Sequence, residues 1–401
     1  MKGNHIKHEA LLGPPGSGKT WHINEELSRD ERFGYKTAST GVAALIATGD
    51  DNIMGRTIHS VLRFVHPWQL REAIETGRIY KTLKWIGVNY DRLIIDEISM
   101  LSAEIFDLIV HAVNEYNSDG RNPPLKILAV GDFLQLPPIS ISGETITLPA
   151  FMGTYWDTFE VTKLTEIKRQ NNTEFLEVLR AIREDRLPEV VDWIEEHIGF
   201  HNKEDKEFIG STIFSTNKAV NSFNQEKLDK LTGRCKIYKT TQEGNPPPIS
   251  SRIPKEIKLK VGALVCIKVN NLKEGYANGS LATILELGKT WVKVELFRTD
   301  EIRTIVFNTQ ENIVPETKKK VGSITYMPLK LAYATTVHSC QGLTIEGGLQ
   351  CKLGDPFLKR LHGGLNVILS RCKDPLLYRL IGNKESLIQS NYIDPRYKQW
   401  C

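Results

Sequence analysis

The chain is poor in the features that would tie it to a membrane, a metal cluster or an oxidising compartment. Nowhere in its 401 residues is there a run approaching the ~18 apolar residues that a transmembrane helix needs. The start of the chain, with His5, Lys7, His8 and Glu9, lacks the apolar stretch of a signal peptide. Its six cysteines (Cys235, Cys266, Cys340, Cys351, Cys372 and Cys401) form no C-x-x-C pair, which argues against both a zinc site and a disulfide framework. They read as reduced thiols of a cytoplasmic protein. Net charge is only +4, which permits a nucleic-acid partner without demanding one. With 40% hydrophobic and 25% charged residues, the composition is that of a globular protein long enough for two or three domains.

What the chain does have is a phosphate loop. Gly13-Pro14-Pro15-Gly16-Ser17-Gly18-Lys19-Thr20 fills every constrained position of G-x-x-x-x-G-K-[ST]. The apolar run His8 to Leu12 leads in, and the helix-compatible stretch Trp21 to Ser28 leads out. Glycines let successive backbone N–H groups point at phosphate oxygens, and the helix N-terminus adds a favourable dipole. Lys19 is then placed to neutralise the β and γ phosphates, and the Thr20 hydroxyl to ligate Mg²⁺. The chain is therefore expected to bind a nucleoside triphosphate, with ATP and Mg²⁺ as the working pair.

Two further strings follow in order. Arg92-Leu-Ile-Ile-Asp96-Glu97 reads as a buried strand ending in two carboxylates. Asp96 is expected to hold Mg²⁺ and Glu97 to orient and deprotonate the attacking water. In isolation such a pair also suits the start of the helix that begins near Ser102. A glutamate after the aspartate favours hydrolysis over transfer to an organic hydroxyl. Gly131-Asp-Phe-Leu-Gln-Leu-Pro-Pro138 follows the strand Ile127 to Val130 and brings Asp132 and Gln135 to one edge. The Gln135 amide suits a sensor of the γ-phosphate or of the hydrolytic water. Runs at Ala10–Leu12, Tyr35–Ser39, Arg92–Ile95 and Lys126–Val130, with helical patterns such as Gly41–Ala47 and Ala103–Tyr116 between some of them, predict an α/β fold. Its parallel sheet should place each motif at a strand's carboxyl end.

With these strings the chain resembles the Pif-type and RecD-type 5′→3′ DNA helicases of superfamily 1, including small phage enzymes of the Dda type. The likeness runs from Leu11 to about Lys373. Ala38-Ser-Thr-Gly-Val-Ala-Ala44 and Thr57-Ile-His-Ser60 resemble the motif Ia region, which implies DNA contacts from Thr40, Gly41, His59 and Ser60. Leu164-Thr-Glu-Ile-Lys-Arg-Gln170 is similar to motif IV, and Val367-Ile-Leu-Ser-Arg371 to motif VI. Both imply arginines, Arg169 and Arg371, at the nucleotide. Ser215-Thr-Asn217 resembles a T-x-N segment, which implies DNA contact by Asn217. Ala334 to Thr344 resembles motif V, implying Gln341 and Gly342 on the nucleotide side and His338 and Ser339 on the DNA side.

The resemblance implies two RecA-like motor domains, over 1–60 with 91–163 and over 164–243 with 323–401. A wedge insertion is expected at 61–90, with Phe64 and Trp68, flanking Pro67, as candidates to meet a duplex fork, while Tyr80 and Trp85 suit a small helical core. From Gly244-Asn-Pro-Pro-Pro248 the texture changes. Lys258–Asn270, Ala282–Leu287, Thr290–Phe297 and Ile302–Phe307 alternate like strands of a small antiparallel barrel. The resemblance makes 244–322 a Src-homology-3-like insertion that closes over the single strand and contacts the wedge.

Two departures stand out. Only twelve residues precede Gly13 and none is glutamine, so base selectivity is expected to be weak or to rest on stacking. His338-Ser-Cys-Gln-Gly342 stands where relatives commonly read H-K-S-Q-G, which removes one cation from the phosphate path. The expected partners are single-stranded and forked DNA, with replication or recombination proteins besides, no membrane, and action as a monomer. The compact length suggests a phage or other mobile-element enzyme. A DNA-remodelling ATPase that does not unwind, a small-molecule phosphotransferase and a hydrolysis-dead DNA-binding module remain as alternatives.

Overall fold

A computed structural model describes every residue except 1–5, 40–55, 139–146, 167–171, 248–249, 251–252, 270, 272–273, 277, 298, 315–318 and 346. The chain divides into two compact units, Met1–Asn171 with Arg396–Trp400, and Asn172–Pro395. Among the described residues no helix is long and apolar enough to cross a membrane.

The first unit is built on strands β1 (His8–Leu12), β2 (Tyr35–Ala38), β3 (Arg56–Thr57), β4 (Arg92–Asp96), β5 (Lys126–Gly131) and β6 (Phe159–Lys163). They form one parallel sheet in the order β3-β2-β4-β5-β1-β6. A parallel sheet covered on both faces takes continuous apolar runs rather than alternation. Accordingly Leu93, Ile94 and Ile95 of β4 are all fully buried. The helix Lys19–Arg29 packs Ile23 against Leu11, Ile94, Leu128 and Val130, so the phosphate loop is anchored by the core directly beneath it.

Residues 58–89 fold as three short helices, Ile58–Leu62, Pro67–Glu75 and Arg78–Asn89. The latter two pack on each other and on the long helix Ala103–Ser118, burying Leu70, Ala73, Leu83 and Ile86. Trp85 packs on Tyr35 and Tyr90, as suits a helical core. The last turn of the chain also belongs to this unit. Tyr397 and Trp400 lie against Phe151, and Trp400 against Phe133 and Trp156, with the Lys163 ammonium 5.1 Å above the Trp400 ring. The resemblance places everything from 323 to 401 in the second motor domain. Aromatic burial, invisible in a sequence scan, brings 396–400 back to the first.

The second unit holds β7 (Phe200–His201) and β8 (Ser211–Phe214), then β9 (Lys236–Lys239), β10 (Thr241–Gly244), β11 (Glu256–Leu259), β12 (Leu264–Ile267), β13 (Leu281–Leu287), β14 (Trp291–Leu296), β15 (Ile302–Val306), β16 (Asn308–Val314), β17 (Lys319–Tyr326) and β18 (Leu329–Leu331). After these come β19 (Ala334–Thr336), β20 (Leu349–Lys352) and β21 (Tyr378–Ile381). Strands β19-β8-β20-β21-β7 make a second parallel sheet, so the expected α/β architecture of two parallel sheets is present. Everything from β9 to β18 is antiparallel, in sheets ordered β15-β14-β13-β12-β18, β10-β17-β16 and β11-β9. Leu259, Val265, Ile284, Val292, Val294 and Ile305 form the core of this insertion, which extends beyond the expected 244–322 at both ends. The run 258–270 is not one strand, because a turn at Val261–Gly262 divides β11 from β12.

Candidate active site

Four loops leave the carboxyl edge of adjacent strands β2, β4, β5 and β1, where ligands bind in open α/β sheets. Gly16 (φ 80°) and Gly18 (φ 88°) take left-handed backbone within the phosphate loop, which needs glycine to turn its N–H groups inward. Gly13 N–H donates to the Gly131 carbonyl at 3.1 Å, so the loop after β1 is tied to the end of β5. A Cβ on Gly13 would lie 2.7 Å from the Leu164 carbonyl and 2.8 Å from Ser17 Oγ. The Ser17 hydroxyl is buried and has no hydrogen-bond partner among the described residues. A native fold rarely leaves such a group unsatisfied, and a phosphate oxygen is the partner this loop is shaped to admit. Lys19 Nζ donates to the Gly13 and Pro14 carbonyls at 2.6 and 2.9 Å, which holds its charge inside the cradle.

At the end of β4, Asp96 Oδ1 accepts the Glu97 N–H at 2.9 Å. Burial pushes the Asp96 carboxyl above the ordinary aspartate range, against the pull of Lys36, the Glu97 N–H and Lys19. A divalent cation would favour the charged form that burial opposes. Thr20 and Asp96 fit a Mg²⁺ ion, which takes few protein ligands and completes its shell with phosphate and water. No group of three or more His, Cys, Asp or Glu residues able to hold a metal occurs among the described residues.

Glu97 is one of the few non-glycine residues with left-handed backbone, at φ 55° and ψ 47°. Such a conformation costs about 1–3 kcal/mol and persists only where neighbours enforce it. Ser102, not the acidic pair, caps the helix that follows, accepting the Ile105 N–H at 3.3 Å. Past β5, Asp132 Oδ1 accepts the Leu134 N–H and the Asp132 carbonyl accepts the Gln135 N–H, both at 3.1 Å. This closed turn fixes Gln135, whose side chain is buried.

Not every expected residue is brought to this edge. Thr40, Gly41 and Arg169 lie outside the described residues. His59 and Ser60 sit on the short helix capped by Thr57, with the His59 ring 4.5 Å from that of Phe64. Phe64 itself is 4% exposed, so it belongs to the core and offers no face to a fork. Trp68, by contrast, is 60% exposed and Val65 64%. They flank a tip in which Gln69 Oε1 accepts the N–H groups of Val65 and His66, and the His66 and Trp68 rings are parallel. Trp21, immediately after Thr20, is 61% exposed; its place beside the loop was the available sequence signal.

In the second unit, Asn217 opens the helix Asn217–Lys230 under a Thr216 cap. Ser339 N–H donates to Thr336 Oγ1 at the start of the short turn bearing His338, whose imidazole burial makes harder to protonate. Gln341 is buried and Gly342 turns the chain at φ 77°. Arg371 differs from expectation. Its guanidinium is 1% exposed and donates to the carbonyls of Val367 (2.7 Å), Leu343 (3.1 Å) and Cys340 (3.4 Å), and to Ser370 Oγ (2.6 Å). In this structure it braces motif V against motif VI rather than presenting a charge. Arg371→Ala is therefore expected to destabilise the second unit by about 3 kcal/mol, lowering Tm by roughly 6–12 °C. A melting temperature within 2 °C of the parent would discard the brace.

The phosphate loop, the buried aspartate and the glutamate one residue on define a P-loop nucleoside triphosphatase, here accompanied by a second parallel sheet. A family model described as "PIF1-like helicase" matches residues 7–206. The "ATP-dependent DNA helicase Pif1" of Campylobacter jejuni is 29% identical over 409 residues, covering 94% of this chain and 89% of the relative. The crystal structure of Bacteroides sp. Pif1 with ADP-AlF4 superposes with a TM-score of 0.75 at 24% identity, covering 98% of this chain and 94% of that one. Bacteroides Pif1 with ADP-AlF3 and single-stranded DNA gives 0.65 at 25% identity, covering 98% and 92%. The chain belongs to the Pif1-like helicase family.

Proposed function

We propose that the chain is an ATP-dependent DNA helicase that hydrolyses Mg²⁺-ATP to move 5′→3′ on single-stranded DNA and to part duplex DNA at a fork. The observation that carries the reading is the arrangement of Lys19, Asp96, Glu97 and Gln135 on the carboxyl edges of neighbouring strands. Lys19 and the loop N–H groups bind the phosphates, Glu97 takes the proton of the attacking water, and Gln135 orients that water. Thr20 and Asp96 would hold a Mg²⁺ ion, which would supply charge neutralisation to the phosphates. Trp21 offers its exposed indole to the base.

Trp68 and Val65 form the wedge. Base–aromatic stacking contributes about 1–3 kcal/mol per base, enough to capture a frayed pair. A phosphotransferase has no use for such a tip or for the second sheet, and the intact Lys19 and Glu97 argue against a dead module. The chain works as a monomer on this reading.

The test is ATP hydrolysis with and without oligothymidine, then unwinding of 5′-tailed and 3′-tailed forks, at one fixed salt concentration. DNA should stimulate hydrolysis strongly, and only the 5′ tail should support unwinding. Trp68→Ala should cut fork unwinding at least fivefold while DNA-stimulated hydrolysis stays within twofold. Hydrolysis indifferent to DNA would end the motor reading; equal losses of unwinding and hydrolysis in Trp68→Ala would end the wedge.

A further inference from the structure

The turn that delivers Gln135 runs Asp132-Phe133-Leu134-Gln135 and is closed by the Gln135 N–H on the Asp132 carbonyl. Phe133 is its first central residue, two positions before the amide that matters. Backbone contact ties the start of this turn to the one bearing Glu97. A Cβ on Gly131 would lie 3.0 Å from the Ile98 nitrogen and 3.6 Å from the Glu97 carbonyl carbon. Aromatic packing holds its apex. The Phe133 ring is buried among three others, with centroids 4.8 Å from Phe151, 5.0 Å from Trp156 and 5.0 Å from Trp400.

Trp400 comes from the segment 396–400, remote in sequence from the other rings. Its indole also meets Phe151 at 5.5 Å and Trp156 at 6.0 Å, so it touches every ring that surrounds Phe133. Lys163, the last residue of β6, sets its ammonium 5.1 Å above the indole and holds it from the sheet. A phenyl ring packed among three rings cannot roll, and a turn whose apex cannot roll keeps its fourth residue in place. Misplacing a group that orients a reacting atom by about 1 Å costs about 10²-fold in rate. We infer that Trp400 is a positioning residue for the hydrolytic step, acting through Phe133 to hold Gln135 beside Glu97. This inference rests on the reading of Gln135 as the residue that orients the attacking water.

The experiment uses the full chain with saturating oligothymidine and compares the parent with Trp400→Ala, Gln135→Ala and the double variant. Steady-state hydrolysis over a range of ATP gives kcat and KM. Titration gives the affinities for ADP and for ADP with aluminium fluoride, which stands in for the phosphoryl group in transfer. Trp400→Ala should lower kcat at least tenfold and weaken ADP–aluminium fluoride by a similar factor. KM and ADP affinity should stay within about threefold, because the phosphate loop is untouched. In the Gln135→Ala background the same substitution should lower kcat by less than twofold more, since no amide is left to misplace. Trp400→Phe, which keeps a ring against Phe133, should recover most of the loss. If Trp400→Ala folds poorly, Trp400→Leu serves in its place with the same expected direction. A fall in kcat of less than tenfold overturns the inference. So does a loss that multiplies in full with that of Gln135→Ala, or an equal loss of ADP affinity; either would make Trp400 a support for the unit and nothing more. Gln135→Ala with the parent's kcat would instead strike the role given to Gln135, so the two failures are read from different proteins.

Discussion

Glu97→Gln is expected to lower the kcat of DNA-stimulated ATP hydrolysis by about 10²–10⁴-fold, the range a positioned general base contributes. The substitution is nearly isosteric and keeps the left-handed backbone, because Ser39 and Asp96 hold the main chain of residue 97 and not its carboxylate. The phosphate loop is untouched. Nucleotide binding should therefore persist with KM unchanged or lower, and the protein should hold ATP without turning it over. Single-turnover hydrolysis beside equilibrium binding of a fluorescent nucleotide separates the two. A kcat within tenfold of the parent would remove Glu97 from the chemical step and pass the base to another group.

Lys19→Ala should act on binding and rate together. In this structure Nζ donates to two carbonyls of its own loop, Gly13 and Pro14. Those contacts keep the ammonium over the cradle, ready to exchange carbonyl oxygens for phosphate oxygens. Each hydrogen bond to a charged group contributes about 1.5–3 kcal/mol, so losing two should reduce kcat/KM by about 10²–10⁴-fold. DNA affinity should stay within a few-fold, because Lys19 faces the nucleotide. Nucleotide titration, oligothymidine anisotropy and steady-state hydrolysis on one preparation make the comparison. Loss of DNA affinity as large as the loss of kcat/KM would mean that the variant had disturbed the unit and not the site.

Much of the site was legible because its signals are local. A phosphate loop is eight consecutive residues with fixed backbone demands, and a buried strand ending Asp96-Glu97 is six. The order of these strings along the chain was enough to expect a parallel sheet, and the sheet is there. Strand and helix patterns at Arg92–Asp96, Lys126–Gly131 and Ala103–Ser118 were legible for the same reason: burial on both faces, or on one stripe, leaves a period in the residues themselves.

What eluded the sequence involves partners far apart in the chain. Phe64 and Trp68 look equally suited to a fork, yet one packs on His59 and the other stands in solvent. Only the way residues 58–89 fold onto the helix Ala103–Ser118 makes that choice. Arg371 has the motif of a catalytic arginine, but the carbonyls of Cys340 and Leu343, some 30 positions earlier, claim its donors. The aromatic seat of Tyr397 and Trp400 depends on Phe133, Phe151 and Trp156, more than 240 positions away.

Ser39 is the sharpest case: nothing in its own surroundings marks it, yet its hydroxyl donates to the Glu97 carbonyl, 58 residues on, across the β2–β4 pairing. The sequence by itself determined which chemical groups the protein carries and the order in which strands deliver them, since those depend on residue type and short-range spacing. Tertiary structure alone decided which groups face solvent, which are committed to carbonyls and which hold others in place, because hydrogen bonds and burial are made between segments that meet only after the sheet has formed.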